Sequence, residues 1–175
     1  ETRDPNLIKQ GPGWATGDGE VVGVAVATAG WSGYLPINHQ GGGNLDKVLV
    51  MNWLQKQVNT PSDKIFHNAL YDVGWLKREG IELQGKIQDT MIAAPLVNEN
   101  RNRYSLDSLG AEYCGEQKDE TLLRQAAQEW GINPKSEMWK LPSKYVGAYA
   151  EQDAVLTLKL WNELKILLEK QTLDS

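Results

Sequence analysis

The chain has 175 residues, 41% of them hydrophobic and 23% charged, which suits one compact soluble domain with a proper core. Its formal net charge of −5 argues against a broad basic surface that grips nucleic acid, yet leaves room for a nuclease, because a metal site built of carboxylates is itself negative. Cys114 is the single cysteine, which excludes an internal disulfide and a multi-cysteine zinc site. No apolar run approaches the roughly 20 residues of a membrane span and no signal-peptide pattern opens the chain, so the reading is a cytoplasmic protein with no membrane partner.

Segment 1–19, rich in Gly, Pro and Asp, reads as loop and turn. Val22, Val24 and Val26 alternate along Glu20–Ala27 as in a half-buried strand, and Trp31–Ile37 reads as its hairpin partner. After the loop His39–Gly43, Asn44 is placed to cap a helix reaching about Val58, with Leu45, Val48, Leu49 and Leu54 as its apolar face. Lys64–His67 and Lys86–Ile87 are short strands. Ala69–Glu79 is a helix ended by Gly80, and Asp89-Thr90 opens another. Ser105 and Asp119 read as caps of two further helices, the second closing at Gly131, and a last helix runs from about Lys144 to Lys170. Strands early and helices later define an α/β class with a largely antiparallel start.

Chemistry concentrates on the last helix. Val146, Tyr149, Ala150, Asp153, Thr157, Leu160, Trp161, Leu164 and Leu168 recur at helical steps, so Asp153 interrupts an apolar stripe. A lone carboxylate buried there costs several kcal/mol, on the order expected for an unpaired charge, and calls for a cation. That cation is a metal ion, or an Arg or Lys; a stripe that turns to solvent at that point would serve as well. Tyr149 lies one turn earlier and is either a core phenol or the group that orients a water at the same site. Asp72 falls in the first turn of its helix, where an anion is favourable with or without a function. Glu1 is an acid whose role nothing local defines.

Taken together, Glu1-Thr2, His67-Asn68-Ala69-Leu70-Tyr71-Asp72 and Tyr149-Ala150-Glu151-Gln152-Asp153 resemble the three motifs of the DEDD (DnaQ-like) 3′→5′ exonucleases, in their Tyr-containing branch. Asp89–Ala94 and Tyr104–Leu109 look like the segment between motifs two and three in proofreading domains of family A DNA polymerases. Thr2–Leu7 and His39–Asn44 resemble phage-type members. This resemblance implies a ribonuclease H-like fold with a mixed five-stranded sheet flanked by helices. It further implies two divalent ions, Mg2+ or Mn2+, about 3.5–4 Å apart. Glu1 and Asp153 would hold the ion that activates the attacking water, Asp72 the second, and Tyr149 would orient the nucleophile. Thr2, Leu7, His67 and Asn68 would contact the 3′ end of a single-stranded DNA. His39 is either a loop residue beside the DNA or solvated. Trp53, Trp75 and Trp161 fall on helices and read as core rather than base-stacking platforms.

In the family's first motif an Asp stands two positions before the residue matched by Glu1, on a strand normally central to the sheet, and the sequence starts at Glu1. The expectation is therefore an excised domain, 1–175, of a larger polymerase, with weak metal binding and little turnover if the upstream Asp is truly lacking. Rival expectations are an RNA-trimming enzyme of the RNase D kind and an exonuclease-shaped module that only braces a polymerase. A dinucleotide-binding domain is a poor fit, because no strand–Gly-x-Gly-x-x-Gly–helix unit is present.

Overall fold

A computed structural model describes residues 1–174. β1 (Thr2–Arg3) leads into two single-turn helices, α1 (Leu7–Gln10) and α2 (Gly13–Thr16). β2 (Glu20–Val21) returns antiparallel to β1, with Thr2 opposite Val21 and Arg3 opposite Glu20. After Val22, β3 (Gly23–Ala27) forms a hairpin with β4 (Ser32–Pro36). α3 (Lys47–Val58), β5 (Lys64–Phe66), α4 (Ala69–Arg78), β6 (Ile87–Asp89) and α5 (Thr90–Val97) follow, with β5 and β6 parallel. α6 (Leu106–Cys114), α7 (Thr121–Trp130), 3-10 turns at Met138–Lys140 and Ser143–Tyr145, and the long α8 (Gly147–Asp174) complete the chain.

The class is α/β, as the pattern of elements indicated. Among the described residues, however, hydrogen bonds join the strands in three pairs and not five abreast. β1 is only two residues long, too short to carry a ladder on to the β5–β6 pair.

Caps set where the helices begin. Asp46, not Asn44, starts α3, its carboxylate accepting from Leu49 N at 3.1 Å. Asn44 instead closes its loop on His39, accepting from His39 N at 2.7 Å and donating to His39 O at 2.9 Å. The expected apolar face of α3 is also corrected: Leu45, Val48 and Leu49 are exposed, whereas Val50 and Leu54 are buried. Leu45 precedes the helix, and at about 100° per residue Val48 and Leu49 lie roughly 120° and 140° around it from Leu54, so those residues never shared a face. Ser105 caps α6 by accepting from Ser108 N, and left-handed Gly131 closes α7.

The core falls into three clusters. Ala93, Ala94, Leu109, Leu160 and Leu164 join α5, α6 and α8; Leu123, Ala126, Met138, Leu141 and Val146 join α7 to the turns before α8; Val21, Ile37, Val50 and Trp75 join β2, β4, α3 and α4. Gly110 lets α6 lie close on α8, since a Cβ there would stand 2.7 Å from Leu156 Cδ2. α8 is the common support. Its 28 residues, about 42 Å at 1.5 Å per residue, pack across β3, β4, β5, α5 and α6.

Candidate active site

The parallel β5–β6 pair explains how the second motif is presented. Phe66 lies opposite Asp89, so α4 and α5 both start at the same end of the pair. Asp89 serves both starts: its carboxylate accepts from Asn68 N at 3.0 Å, Ala69 N at 2.8 Å and Met91 N at 2.9 Å. Asn68 adopts φ 69°, a left-handed conformation that Asn tolerates better than most residues. That turn sets Asp72 in the first turn of α4. Glu1 is held beside the β2–β3 strand, because its carbonyl accepts from Val22 N at 2.8 Å and Gly23 N at 3.2 Å. Asp153 and Tyr149 come from α8 one turn apart.

The three acids share one electrostatic neighbourhood. Burial raises the Glu1 carboxyl, and the Asp153 charge adds to the rise. Asp72 is pushed up to about 6, first by burial, with Asp89 and Glu1 contributing. Asp72 is nevertheless exposed to solvent at the start of α4. Burial likewise raises Asp153, against the pull of Lys118. Among the described residues, neither Glu1 nor Asp72 has a side-chain ion pair. Carboxylates held in such a setting lack positive charge, and oxygen-only donors suit a hard divalent cation. The residues fit such an ion in kind. Among the described residues, though, no three His, Cys, Asp or Glu side chains form a ready-made metal cage.

One reason is Lys118, which the sequence reading did not single out. Its ammonium lies 2.5 Å from Asp153 Oδ1, 2.8 Å from Asp107 Oδ1 and 3.1 Å from the Tyr149 hydroxyl, and 4.5 Å from the Tyr149 ring centre. The Arg or Lys partner weighed for Asp153 is therefore present. The sequence held one faint signal: Lys118 is the only cation between Arg103 and Arg124, set among acids. Burial raises the Tyr149 phenol and keeps it protonated.

The expected substrate-contacting residues are variously engaged. Thr2 Oγ1 donates to the Tyr71 hydroxyl at 3.0 Å, which in turn donates to Asp4 Oδ2 at 2.8 Å. Leu7, at the start of α1, is exposed. His67 Nδ1 lies 2.8 Å from Thr90 Oγ1, whose hydroxyl donates to Phe66 O, and the Tyr104 backbone is a further hydrogen-bond partner of the ring. Burial lowers His67 and keeps it neutral near pH 7. The Asn68 side chain is exposed.

His39 departs from both readings given to it. It is buried, 3% exposed, with Nδ1 donating to Leu141 O at 3.0 Å and Nε2 accepting from the Tyr34 hydroxyl at 2.7 Å. The Asn44 contact folds the glycine loop over it, so it ties β4 to the segment before α8. Trp75 is core and Trp161 packs against core, as expected, while Trp53 makes an edge contact with the half-exposed Trp31.

The class of protein is an α/β domain that presents acids from a helix start, a strand edge and a long helix in one electrostatic neighbourhood. A family model described as "3'-5' exonuclease" matches residues 16–169. The chain belongs to this 3′–5′ exonuclease family and is thereby a hydrolase. The matched span includes Asp72, Tyr149 and Asp153, and leaves Glu1 ahead of it. The chain is similar to a DNA-directed DNA polymerase of Pseudomonas phage M6, 39% identical over 99% of this chain and 27% of that protein. It is also similar to DNA polymerase DpoZ of Vibrio phage phiVC8, 33% identical over 89% of this chain and 26% of that protein. A DNA polymerase I of Chloroflexus aurantiacus is 27% identical over 87% of this chain and 16% of its own length. The chain thus spans about a quarter or less of the curated relatives it matches. Family members generally depend on divalent metal. No helix among the described residues is long and apolar enough to cross a membrane.

Proposed function

We propose that this chain removes nucleotides from the 3′ end of single-stranded DNA as the proofreading domain of a larger DNA polymerase. The observation that carries the reading is the convergence of the family's motif acids: Asp72 feels the charge of Glu1, and Glu1 feels that of Asp153, from three distant stretches of chain. The relatives, all DNA polymerases, support DNA over RNA and a polymerase in the same parent protein. They also favour an enzyme over a bracing module. The finer fold reading is a ribonuclease H-like domain, residues 1–175, in which strands absent from the present ladders complete a five-stranded sheet. Its setting is the cytoplasm of a bacterial or phage-infected cell.

In this reading Glu1, Asp72 and Asp153 hold two divalent ions, Mg2+ or Mn2+. When bound, these ions lower the pKa of the attacking water and offset charge on the phosphate and the leaving oxygen. The chain's own residues do the rest. Tyr149, protonated, orients the water through its hydroxyl. The Thr2 backbone and Asn68 fix the terminal nucleotide, His67 flanks it, and exposed Leu7 packs against the last base. Holding the phosphate still between these groups replaces much of the entropy that a reaction in solution would lose.

The test is degradation of a 5′-labelled single-stranded DNA with Mn2+, beside a matched RNA. Asp72→Asn and Asp153→Asn should each lower the rate on the order of 10²-fold or more, and Tyr149→Phe by a smaller factor with DNA binding retained. Undiminished turnover by Asp153→Asn, or faster attack on RNA, would overturn the assignment.

A further inference from the structure

The same ammonium that pairs with Asp153 also has a second carboxylate within reach. Lys118 bridges α8, through Asp153 and Tyr149, and the first turn of α6, through Asp107. Its side chain is 8% exposed, whereas that of Asp107 is 61% exposed. Asp107 and Lys118 line a cleft of about 510 Å3 together with Arg103, Ser105, Ser108 and Glu120, so the Asp107 side of the ammonium opens to solvent. The segment is tied to α8 on either side of Lys118: Asp119 N donates to Gln152 Oε1 at 2.9 Å, and the Glu116 carboxylate accepts from Lys159 Nζ at 2.6 Å. Any relocation of the charge is therefore a rotation of one side chain, with segment 116–119 staying in place.

We propose that Lys118 is a displaceable cation, holding the Asp153 carboxylate until a divalent ion takes that seat and then retreating to Asp107. The inference rests on the reading of Asp153 as a metal ligand. Two features separate it from an ordinary salt bridge. A single-charged ammonium at 2.5 Å competes for the very oxygen a doubly charged ion would use, and at equal distance the doubly charged ion gains twice the Coulomb energy. The ammonium also keeps a carboxylate partner after leaving, so its departure strands no unpaired charge. In the metal-free chain Lys118 offsets repulsion between Asp153 and its acidic neighbours. In the loaded chain its retreat toward the Arg103 cleft places positive charge on the wall of the site.

The experiment is Mn2+ binding without substrate, by calorimetry and by electron paramagnetic resonance, on the full chain. Lys118→Met should tighten binding by about tenfold, since the competitor is gone. Lys118→Arg should weaken it, because a planar fork holds a carboxylate harder than an ammonium does. Asp107→Asn should weaken binding by about threefold to tenfold, by removing the retreat, yet have less than about a twofold effect when combined with Lys118→Met. Lys159→Met, which removes one nearby positive charge without touching Asp153, should change little. The opposite signs of the Met and Arg variants hold even if either one loses some stability. Equal or weaker binding by Lys118→Met, or an undiminished Asp107→Asn effect in its background, would overturn the displacement. If Mn2+ binds the parent chain and Asp153→Asn abolishes that binding while Lys118→Met does nothing, the displacement alone fails. Should none of the chains bind Mn2+, the metal reading falls with it.

Discussion

His39 makes the acid stability of this fold predictable. The ring is 3% exposed, donates from Nδ1 to Leu141 O at 3.0 Å and accepts at Nε2 from the Tyr34 hydroxyl at 2.7 Å, an arrangement that defines the neutral imidazole. Burial lowers its pKa below the ordinary 6.5. For a base with a lowered folded pKa, the unfolded chain takes up a proton below about pH 6.5 that the folded chain refuses, so stability falls with pH in that window. The slope is at most about 1.4 kcal/mol per pH unit, roughly a tenth to a quarter of a total stability of about 5–15 kcal/mol. Replacing His39 by Gln should cost about 1–3 kcal/mol at pH 7.5, because buried Tyr34 and Leu141 groups lose well-placed partners. It should also remove the His39 share of the acid slope. Urea midpoints of the parent and His39→Gln chains at pH 7.5, 6.5 and 5.5 measure both effects, and the gap between them should narrow by about 1 kcal/mol as pH falls. His67, also lowered by burial, and the raised acids contribute equally to both chains. A gap of constant size from pH 7.5 to 5.5 would refute the argument.

Two further outcomes follow from local geometry. A Cβ at Gly74 would stand 2.2 Å from Trp14 Cε2, so Gly74→Ala should cost about 1–3 kcal/mol in thermal or urea unfolding, with part recovered when Trp14 is shortened to Leu in the same chain. Asp89→Ala removes the acceptor at the start of both α4 and α5 and should cost about 2–4 kcal/mol, whereas Asp89→Asn, which keeps one acceptor oxygen, should cost less.

How much of this could be read in advance depends on the range of the interaction concerned. The valine alternation from Val22 to Val26, the Ser105 cap, the Gly131 stop and the apolar rhythm of the last helix are local, and the structure has them where the residues say. The start of α3 was misplaced because Asn44 and Asp46 are both competent caps, and only the loop's closure on His39 takes Asn44 out of competition. The ordering of the motif acids was also visible, since Asn68 to Asp72 and Tyr149 to Asp153 are one-turn spacings that need no tertiary information.

Determined by the sequence alone are the α/β class, the exonuclease family and the short-range placement of Asp72, Tyr149 and Asp153 on their helices. Tertiary structure alone decided that His39 is a buried tie, that the strands pair two by two, and that Lys118 reaches Asp153, 35 positions further along the chain. Propensity, caps and periodicity act over a few residues and are written in their order. A charge inserted between two helices answers to whatever the folded chain carries there, and the neighbours of Lys118 mark it only as a lone cation among acids without specifying its partner.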